Sequence, residues 1–158
     1  KHRSFLHKEQ TDPRLAFIDA LIRLCGTQGT VIVYNQGFEE GVNNDLKESF
    51  PEHAVALSAL NARMMDLLVP FKKRWLYHHH QNGSASIKKV LPAFVPELSY
   101  DGLNIGNGQD ASQKYLDFMR GQPATPHFWR DLEEYCGLDT FAMVKLVQVL
   151  REKVTYNS

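Results

Sequence analysis

The residues best suited to chemistry in this chain are a tyrosine and an aspartate near its C-terminal end. Tyr135 and Asp139 stand four positions apart, and an apolar stretch follows them. Residues four apart lie on one face of a helical turn, so we expect the phenol and the carboxylate side by side. A second acid, Glu39, comes four residues after Asn35, just past a β-branched apolar run. Two acids with a nearby phenol indicate metal-dependent chemistry.

The elements that position these residues are expected to belong to one domain, because 158 residues with 43% hydrophobic content suffice for a single core. The apolar run 30–34 does not alternate, which predicts a buried strand of an α/β protein. A further strand is predicted over residues 3–8. Helices are predicted over residues 13–25, 38–50, 86–91, 111–120 and 126–135, and a last helix opens at Asp139.

Composition limits the function classes without selecting one. Eighteen basic and eighteen acidic residues balance, so global charge neither supports nor excludes nucleic acid as a partner. Cys25 and Cys136 are too few for a disulfide framework, which favours a reducing, cytoplasmic setting. No apolar run approaches the roughly 20 residues that span a bilayer, so we expect no membrane association.

A basic and aromatic segment is the best candidate for a nucleic-acid surface. Lys72 and Arg74 lie among Phe71, Trp75 and Tyr77, and Lys88 follows later in the chain. Cations suit phosphates and rings suit stacked bases, although a solvated loop anchored by its aromatic residues explains the pattern equally well.

Three consecutive histidines, residues 78–80, suggest a zinc site. Adjacent residues in a loop or strand point in different directions and rarely bind one ion, and no fourth ligand is visible at a regular spacing. The sequence therefore favours a loop here without a bound metal.

Two motifs resemble those of the DEDD superfamily of nucleases, which have a ribonuclease H-like fold. Tyr135 and Asp139 resemble the third motif of the tyrosine subclass, and Asn35 and Glu39, with Phe38, resemble the second, which usually ends in aspartate. The resemblance implies a 3′–5′ exonuclease that cleaves DNA or RNA with two Mg²⁺ or Mn²⁺ ions. Glu39 and Asp139 would be catalytic metal ligands and Tyr135 would orient the attacking water. Substrate contacts are expected from Asn35, Lys72, Arg74 and Lys88.

The same family requires an Asp-x-Glu pair on a first, central strand, and the chain contains none in a strand-like context. We therefore expect residues 1–158 to be the C-terminal portion of a longer nuclease domain. This portion should have a helix-rich fold with a truncated sheet, and little activity by itself. An unpaired sheet edge would favour a homodimer or contact with other domains of the parent chain.

Residues 31–150 also resemble an uncharacterised bacterial domain of unknown function, found at the C-terminal end of larger proteins. The alternative to an enzyme is a non-catalytic module that binds nucleic acid or serves as a scaffold within a larger protein, since fold does not fix function.

Overall fold

The computed structural model describes residues 1–155, which are mainly helical around one short pair of strands. In chain order the elements are α1 (Arg14–Cys25), β1 (Val31–Val33), α2 (Gln36–Ser49), α3 (Ala54–Asn61), β2 (Met64–Asp66), α4 (Leu68–Lys72), α5 (Ile87–Phe94), α6 (Gly108–Met119) and α7 (Phe128–Thr155). Short 3₁₀ turns occupy Pro51–His53 and His79–Gln81.

Strands β1 and β2 pair in parallel, with Val31 opposite Met64 and Val33 opposite Asp66. Helices α2 and α3 connect them, as a parallel pair requires a crossover. The predicted strand at residues 30–34 is confirmed by β1. Strand β2 was not predicted, because its three residues lie within an apolar stretch that continues from α3 into α4. The expected helix-rich α/β architecture agrees with this arrangement.

The most consequential difference from prediction is that the two C-terminal helices are one. Helix α7 continues through Gly137, so Asp139 lies inside a helix and does not open one. A glycine in a helix interior costs about 1 kcal/mol relative to alanine. Burial of Leu132, Tyr135 and Leu146 along α7 offsets that cost, since each such side chain contributes roughly 1.5–3 kcal/mol.

At the N-terminal end, the predicted strand over residues 3–8 is wrong, because these residues adopt no regular secondary structure. Their backbone meets a helix instead of another strand: the hydroxyl group of Tyr115 donates a hydrogen bond to the carbonyl oxygen of His7 (3.1 Å). The predicted helix that follows is confirmed, with Pro13 directly before α1 and Gly26 after it at a φ of +56°.

Three groups of buried side chains form the core. One lies beneath α1, α2 and α3 and consists of Ile18, Leu46 and Leu57. A second joins the region after β2 to α5 and α7 through Leu67, Phe71, Val90 and Leu146. The largest connects α5, α6 and α7 and comprises Leu91, Val95, Tyr100, Ile105, Ala111, Phe128, Leu132, Tyr135 and Ala142. Both C-terminal groups thus pack against α7, which fixes that helix relative to the strand pair.

Candidate functional site

The carboxyl ends of the two strands are tied together by one carboxylate. Asp66, the last residue of β2, accepts hydrogen bonds at Oδ1 from the backbone N–H groups of Asn35 and Leu68, each at 2.9 Å. Asn35 follows β1 and Leu68 opens α4. Because carboxyl ends of neighbouring parallel strands are common ligand sites, this edge of the sheet is the first place to seek function.

A cavity of about 570 Å³ opens at this edge. We call it the strand-end cavity, and it is lined by Tyr34, Asn35, Leu68, Phe71, Lys72, Arg74, Tyr77, Gln81 and residues 83–87. Three of the four residues that the sequence assigned to substrate, Asn35, Lys72 and Arg74, thus lie around one opening. Their two cations and one amide suit an anionic ligand.

Backbone strain is concentrated around the strand-end cavity. Three non-glycine residues in the described part of the chain have a positive φ: Asn35 (77°), Arg74 (57°) and Asn82 (49°). The first two line the cavity, and the third lies between the lining residues Gln81 and Gly83. Such conformations cost energy and cluster at functional sites, so their position favours a binding role for this opening.

The basic and aromatic segment forms an exposed surface beside the cavity. Trp75 is 70% exposed and Tyr77 is 43% exposed. The ammonium group of Lys73 lies 5.3 Å from the ring centroid of Trp75, and the guanidinium group of Arg74 lies 5.6 Å from that of Tyr77. The rings of Trp75 and Tyr77 are therefore not anchored in the core, whereas Phe71, which begins the segment, is 1% exposed and is anchored there.

A second group of polar side chains surrounds Asp139, and we call it the Asp139 cluster: Lys88, Tyr100, Tyr135 and Asp139. The hydroxyl group of Tyr100 donates a hydrogen bond to Asp139 Oδ1 at 2.6 Å. The ammonium nitrogen of Lys88 lies 5.4 Å from the ring centroid of Tyr100 and 5.3 Å from that of Tyr135. That nitrogen also donates a hydrogen bond to the carbonyl oxygen of Gly106.

Burial dominates the protonation chemistry of the Asp139 cluster. It raises the pKa of Asp139, while hydrogen bonding to Tyr100 and Tyr135 and the charge of Lys88 oppose the rise. Burial, followed by the carboxylate of Asp139, raises the pKa of Tyr135 to about 12. The pKa of Tyr100 is raised by the same causes. Both phenols therefore remain protonated at neutral pH and act as hydrogen-bond donors.

Tyr34 connects the strand-end cavity with the Asp139 cluster. It follows β1 and lines the cavity, and its hydroxyl group donates a hydrogen bond to the carbonyl oxygen of Ala85 at 2.6 Å. Its phenol is also close enough to contribute to the raised pKa of Tyr100. The cavity-lining residues 83–87 also lead directly into Lys88 of the Asp139 cluster, so the two groups adjoin at the start of α5.

Glu39 is placed in the first turn of α2 and is half-buried, and burial raises the pKa of its carboxyl group. The groups that set the pKa of Asp139 are Tyr100, Tyr135 and Lys88, and Glu39 is not among them. The structure therefore brings Tyr135, Asp139 and Lys88 together, whereas Glu39 is not seen to interact with Asp139.

The described residues do not supply a complete carboxylate set for two metal ions. Within residues 1–155, three side chains that can bind metal lie close enough together to share an ion, and all three are histidines. This group includes neither Glu39 nor Asp139. Two hard divalent ions require several carboxylate oxygens. These two acids fit such a centre only as part of a larger ligand set.

Sequence reasoning missed Tyr100 and gave Asp66 no definite role. Tyr100 lies in the glycine-rich segment before α6, where nothing in the local pattern indicates that its hydroxyl group reaches α7. Asp66 directly follows apolar residues, and an acid at the end of a short apolar run was a usable signal for a strand end.

The fold and site define a helix-rich α/β domain with a cavity of mixed polar and apolar lining, which includes two cationic residues, at the carboxyl ends of a parallel strand pair. Comparison with known proteins assigns it to a family. The chain belongs to the family "Domain of unknown function (DUF2779)", whose model matches residues 1–86. That match contains the strand pair, Asn35, Glu39, Lys72 and Arg74. It confirms the expected kinship with a domain of unknown function over residues 31–86, whereas the remainder of the expected range, residues 87–150, lies outside the match. No curated protein and no solved structure matches the chain.

Among the helices of residues 1–155, none has both the length and the apolar character that crossing a bilayer requires.

Proposed function

We propose that this domain binds single-stranded DNA or RNA at the strand-end cavity and acts as the substrate-holding part of a DEDD-like 3′–5′ exonuclease. The observation that carries the proposal is the convergence of Asn35, Lys72 and Arg74 around one cavity beside the Asp139 cluster. A cavity with cations on its wall and exposed rings at its side suits a flexible strand of phosphates and bases.

Each part of a nucleotide has a matching group in this region. Lys72 and Arg74 offer charge to phosphate oxygens, and Arg74 can bind two of them at once because its guanidinium is a planar fork. The ring of Trp75, which is 70% exposed, offers a face on which a base can stack. Stacking and charge do not read base edges, so the expected binding tolerates many sequences.

The catalytic part of the proposal assigns roles to the Asp139 cluster and Glu39. Tyr135, with a pKa raised to about 12, keeps its proton, and it would donate a hydrogen bond to a water molecule once its hydrogen bond to Asp139 is released. Lys88 contacts the nucleic-acid backbone, and Glu39 and Asp139 contribute carboxylates to a site for Mg²⁺ or Mn²⁺. Because residues 1–155 lack the other carboxylates near them, the centre requires ligands from outside this domain.

A non-catalytic binding module is the second candidate, and the engagement of Asp139 favours it. Its carboxylate already accepts a hydrogen bond from Tyr100 and lies near Tyr135 and Lys88. In this case the cluster is a structural network within the core, and only the strand-end cavity and its basic surface have a function, as a partner of other domains.

The binding step is tested by fluorescence anisotropy with labelled single-stranded DNA and RNA oligonucleotides. We expect the double variant Lys72→Ala/Arg74→Ala to lower affinity about 10- to 30-fold at 0.1 M salt, because two phosphate contacts contribute about 1.4 to the salt slope for single strands. The matched control Arg23→Ala/Lys47→Ala removes the same charge elsewhere and should leave affinity nearly unchanged. Equal losses in both double variants would contradict a defined site at the cavity.

The catalytic step is tested with the natural full-length protein and 3′-labelled single strands in the presence of Mn²⁺. Asp139→Asn should abolish degradation, whereas Asp19→Asn, at an exposed position in α1, should not. Strand binding without degradation by the unaltered protein would exclude the exonuclease and leave the binding module.

A further inference from the structure

The side chains of the three consecutive histidines converge in the structure, although the sequence pattern favoured a loop without a bound metal. One ligand atom from each of His78, His79 and His80 lies within 4.8 Å of the others. The rings also contact one another, with centroid separations of 4.5 Å (His78 and His79), 4.8 Å (His78 and His80) and 4.1 Å (His79 and His80). Adjacent side chains would diverge in a strand, so a local turn must bring them together.

That turn is the 3₁₀ segment His79–Gln81, and a buried amide holds it in place. Gln81 is 1% exposed. Its Oε1 atom accepts the backbone N–H of His78 at 2.8 Å, and its Nε2 atom donates to the carbonyl oxygen of Ser84 at 3.1 Å. The ring of His78 also packs against the edge of Phe94, with centroids 5.7 Å apart. The histidines therefore stand on a fixed base.

One ring nitrogen of His78 already accepts a hydrogen bond, which sets the protonation of the ring. Its Nδ1 atom accepts the backbone N–H of His80 at 3.3 Å, so the neutral ring carries its proton on Nε2, and a metal ion would bind the Nδ1 lone pair in place of this long hydrogen bond. His79 and His80 are exposed, and their rings are free to rotate toward a common point.

We propose that His78, His79 and His80 form a binding site for one Zn²⁺ ion. Three imidazole nitrogens suit a borderline divalent ion of this kind, and the hard ions Mg²⁺ and Mn²⁺ prefer oxygen. Tetrahedral ligands at about 2.0–2.1 Å from zinc lie about 3.4 Å apart, so modest ring rotations convert the observed group into a site. Because His79 and His80 are exposed, the fourth position would be open to solvent, as in zinc centres that keep an open position.

This site is distinct from the acids discussed above and does not rest on the proposed function. It stands beside the strand-end cavity, because Tyr77 and Gln81, which flank the histidines, both line that cavity. A bound divalent ion would add positive charge at the rim of the opening, where Lys72 and Arg74 already supply it.

The test is zinc titration of the metal-free protein at pH 7.5, followed by calorimetry, with protein purified without a polyhistidine tag. We expect one Zn²⁺ per chain, and at least tenfold weaker binding in His79→Gln/His80→Gln. The matched control His53→Gln/His127→Gln removes two histidines elsewhere and should titrate as the unaltered protein does. Equal weakening in both variants, or none in the first, would overturn the proposal.

A second variant distinguishes a prearranged site from a mere local excess of imidazoles. Gln81→Ala keeps all three histidines and removes the amide that fixes their turn. Supporting groups of this kind change metal affinity about 10- to 100-fold, so zinc binding should weaken by about tenfold. Unchanged zinc affinity would show that the turn does not prearrange the ligands, and circular dichroism confirms that the variant remains folded.

Discussion

Replacement of Tyr100 by phenylalanine tests the electrostatics of the Asp139 cluster directly. The change removes the hydroxyl group that donates to Asp139 Oδ1 at 2.6 Å and keeps the ring in the core, where Tyr100 is 8% exposed. A hydrogen bond to a charged group contributes roughly 1.5–3 kcal/mol, and a neutral one about 1 kcal/mol. Because Tyr135 and Lys88 still stabilise the carboxylate, we expect Tyr100→Phe to lower the free energy of unfolding by about 2 kcal/mol at pH 7.

The pH dependence of that loss has a definite sign. Burial raises the pKa of Asp139 in the folded protein above its unfolded value of 3.8. A raised folded pKa means that the folded protein binds a proton at Asp139 more tightly than the unfolded chain does. The resulting contribution to the free energy of unfolding is complete below the unfolded pKa and is lost as pH rises through the folded pKa. The hydroxyl group of Tyr100 opposes this shift, so its removal raises the pKa of Asp139 further. The deficit of the variant should fall toward about 1 kcal/mol near pH 3.5, because the raised pKa leaves the folded carboxyl group mainly neutral there.

Urea unfolding at both pH values measures these differences. Tyr115→Phe is a matched control, because the hydroxyl group of Tyr115 donates to a neutral acceptor, the carbonyl oxygen of His7, at 3.1 Å. Its loss should not depend on pH in this range. The reasoning is refuted if Tyr100→Phe costs the same at pH 3.5 and pH 7, or if its cost remains in an Asp139→Asn background at the value seen with the carboxylate.

Three further substitutions test how the strand ends are held. Arg63→Ala should lower the free energy of unfolding by about 1–2 kcal/mol, because the guanidinium group donates to the carbonyl oxygens of Gly26, Gln28 and Gly29 at 2.6–2.8 Å. Urea unfolding measures this loss. Full recovery of stability in Arg63→Lys would argue against a role for the planar fork of the guanidinium group. Asp66→Ala removes an acceptor of two backbone N–H groups, so it should cost about 1–2 kcal/mol and weaken oligonucleotide binding, whereas Asp66→Asn should keep most of both. Asn35→Gly should retain stability or gain up to about 0.5 kcal/mol, because the φ of Asn35 is 77°, which glycine adopts without strain. Thermal unfolding measures the change. A large loss of stability would show that the amide side chain matters more than the backbone conformation.

The elements that local pattern determines were predictable from the sequence. Helix α1, with Pro13 before it and Gly26 after it, and strand β1, with its uninterrupted apolar residues, follow from chain chemistry that acts within a few positions. The spacing of Tyr135 and Asp139 likewise placed both on one helical face, and both lie within α7. The sequence assigned Asn35, Lys72 and Arg74 to substrate binding, but no local pattern predicts that they surround one cavity.

What the sequence could not provide depends on contacts between distant residues. Gly137 indicated a break, yet burial on both sides of it keeps α7 continuous. Tyr100 reaches Asp139 across 39 positions, and no local pattern encodes such a pairing. The convergence of the histidines was not predicted for a different reason: it depends on the 3₁₀ turn that Gln81 stabilises, and turns of three residues leave little trace in composition.

The continuity of α7 bears directly on the choice between enzyme and binding module. A helix that opened at Asp139 would leave that carboxylate at a mobile end, whereas its position in the middle of a 28-residue helix fixes it relative to Tyr135 and the core. Catalytic groups need such fixed geometry, and so do buried networks. A catalytic site and a buried network differ in the groups that surround the carboxylate. A carboxylate that binds a metal ion needs further acids beside it, whereas a carboxylate in a hydrogen-bond network needs donors. In the described chain Asp139 meets donors, so the proposed activity would require a metal ion, held by further acids, to replace the hydroxyl group of Tyr100 at the Asp139 carboxylate. A Tyr100→Phe variant of the full-length protein that degrades DNA or RNA as fast as the original would indicate that this displacement occurs.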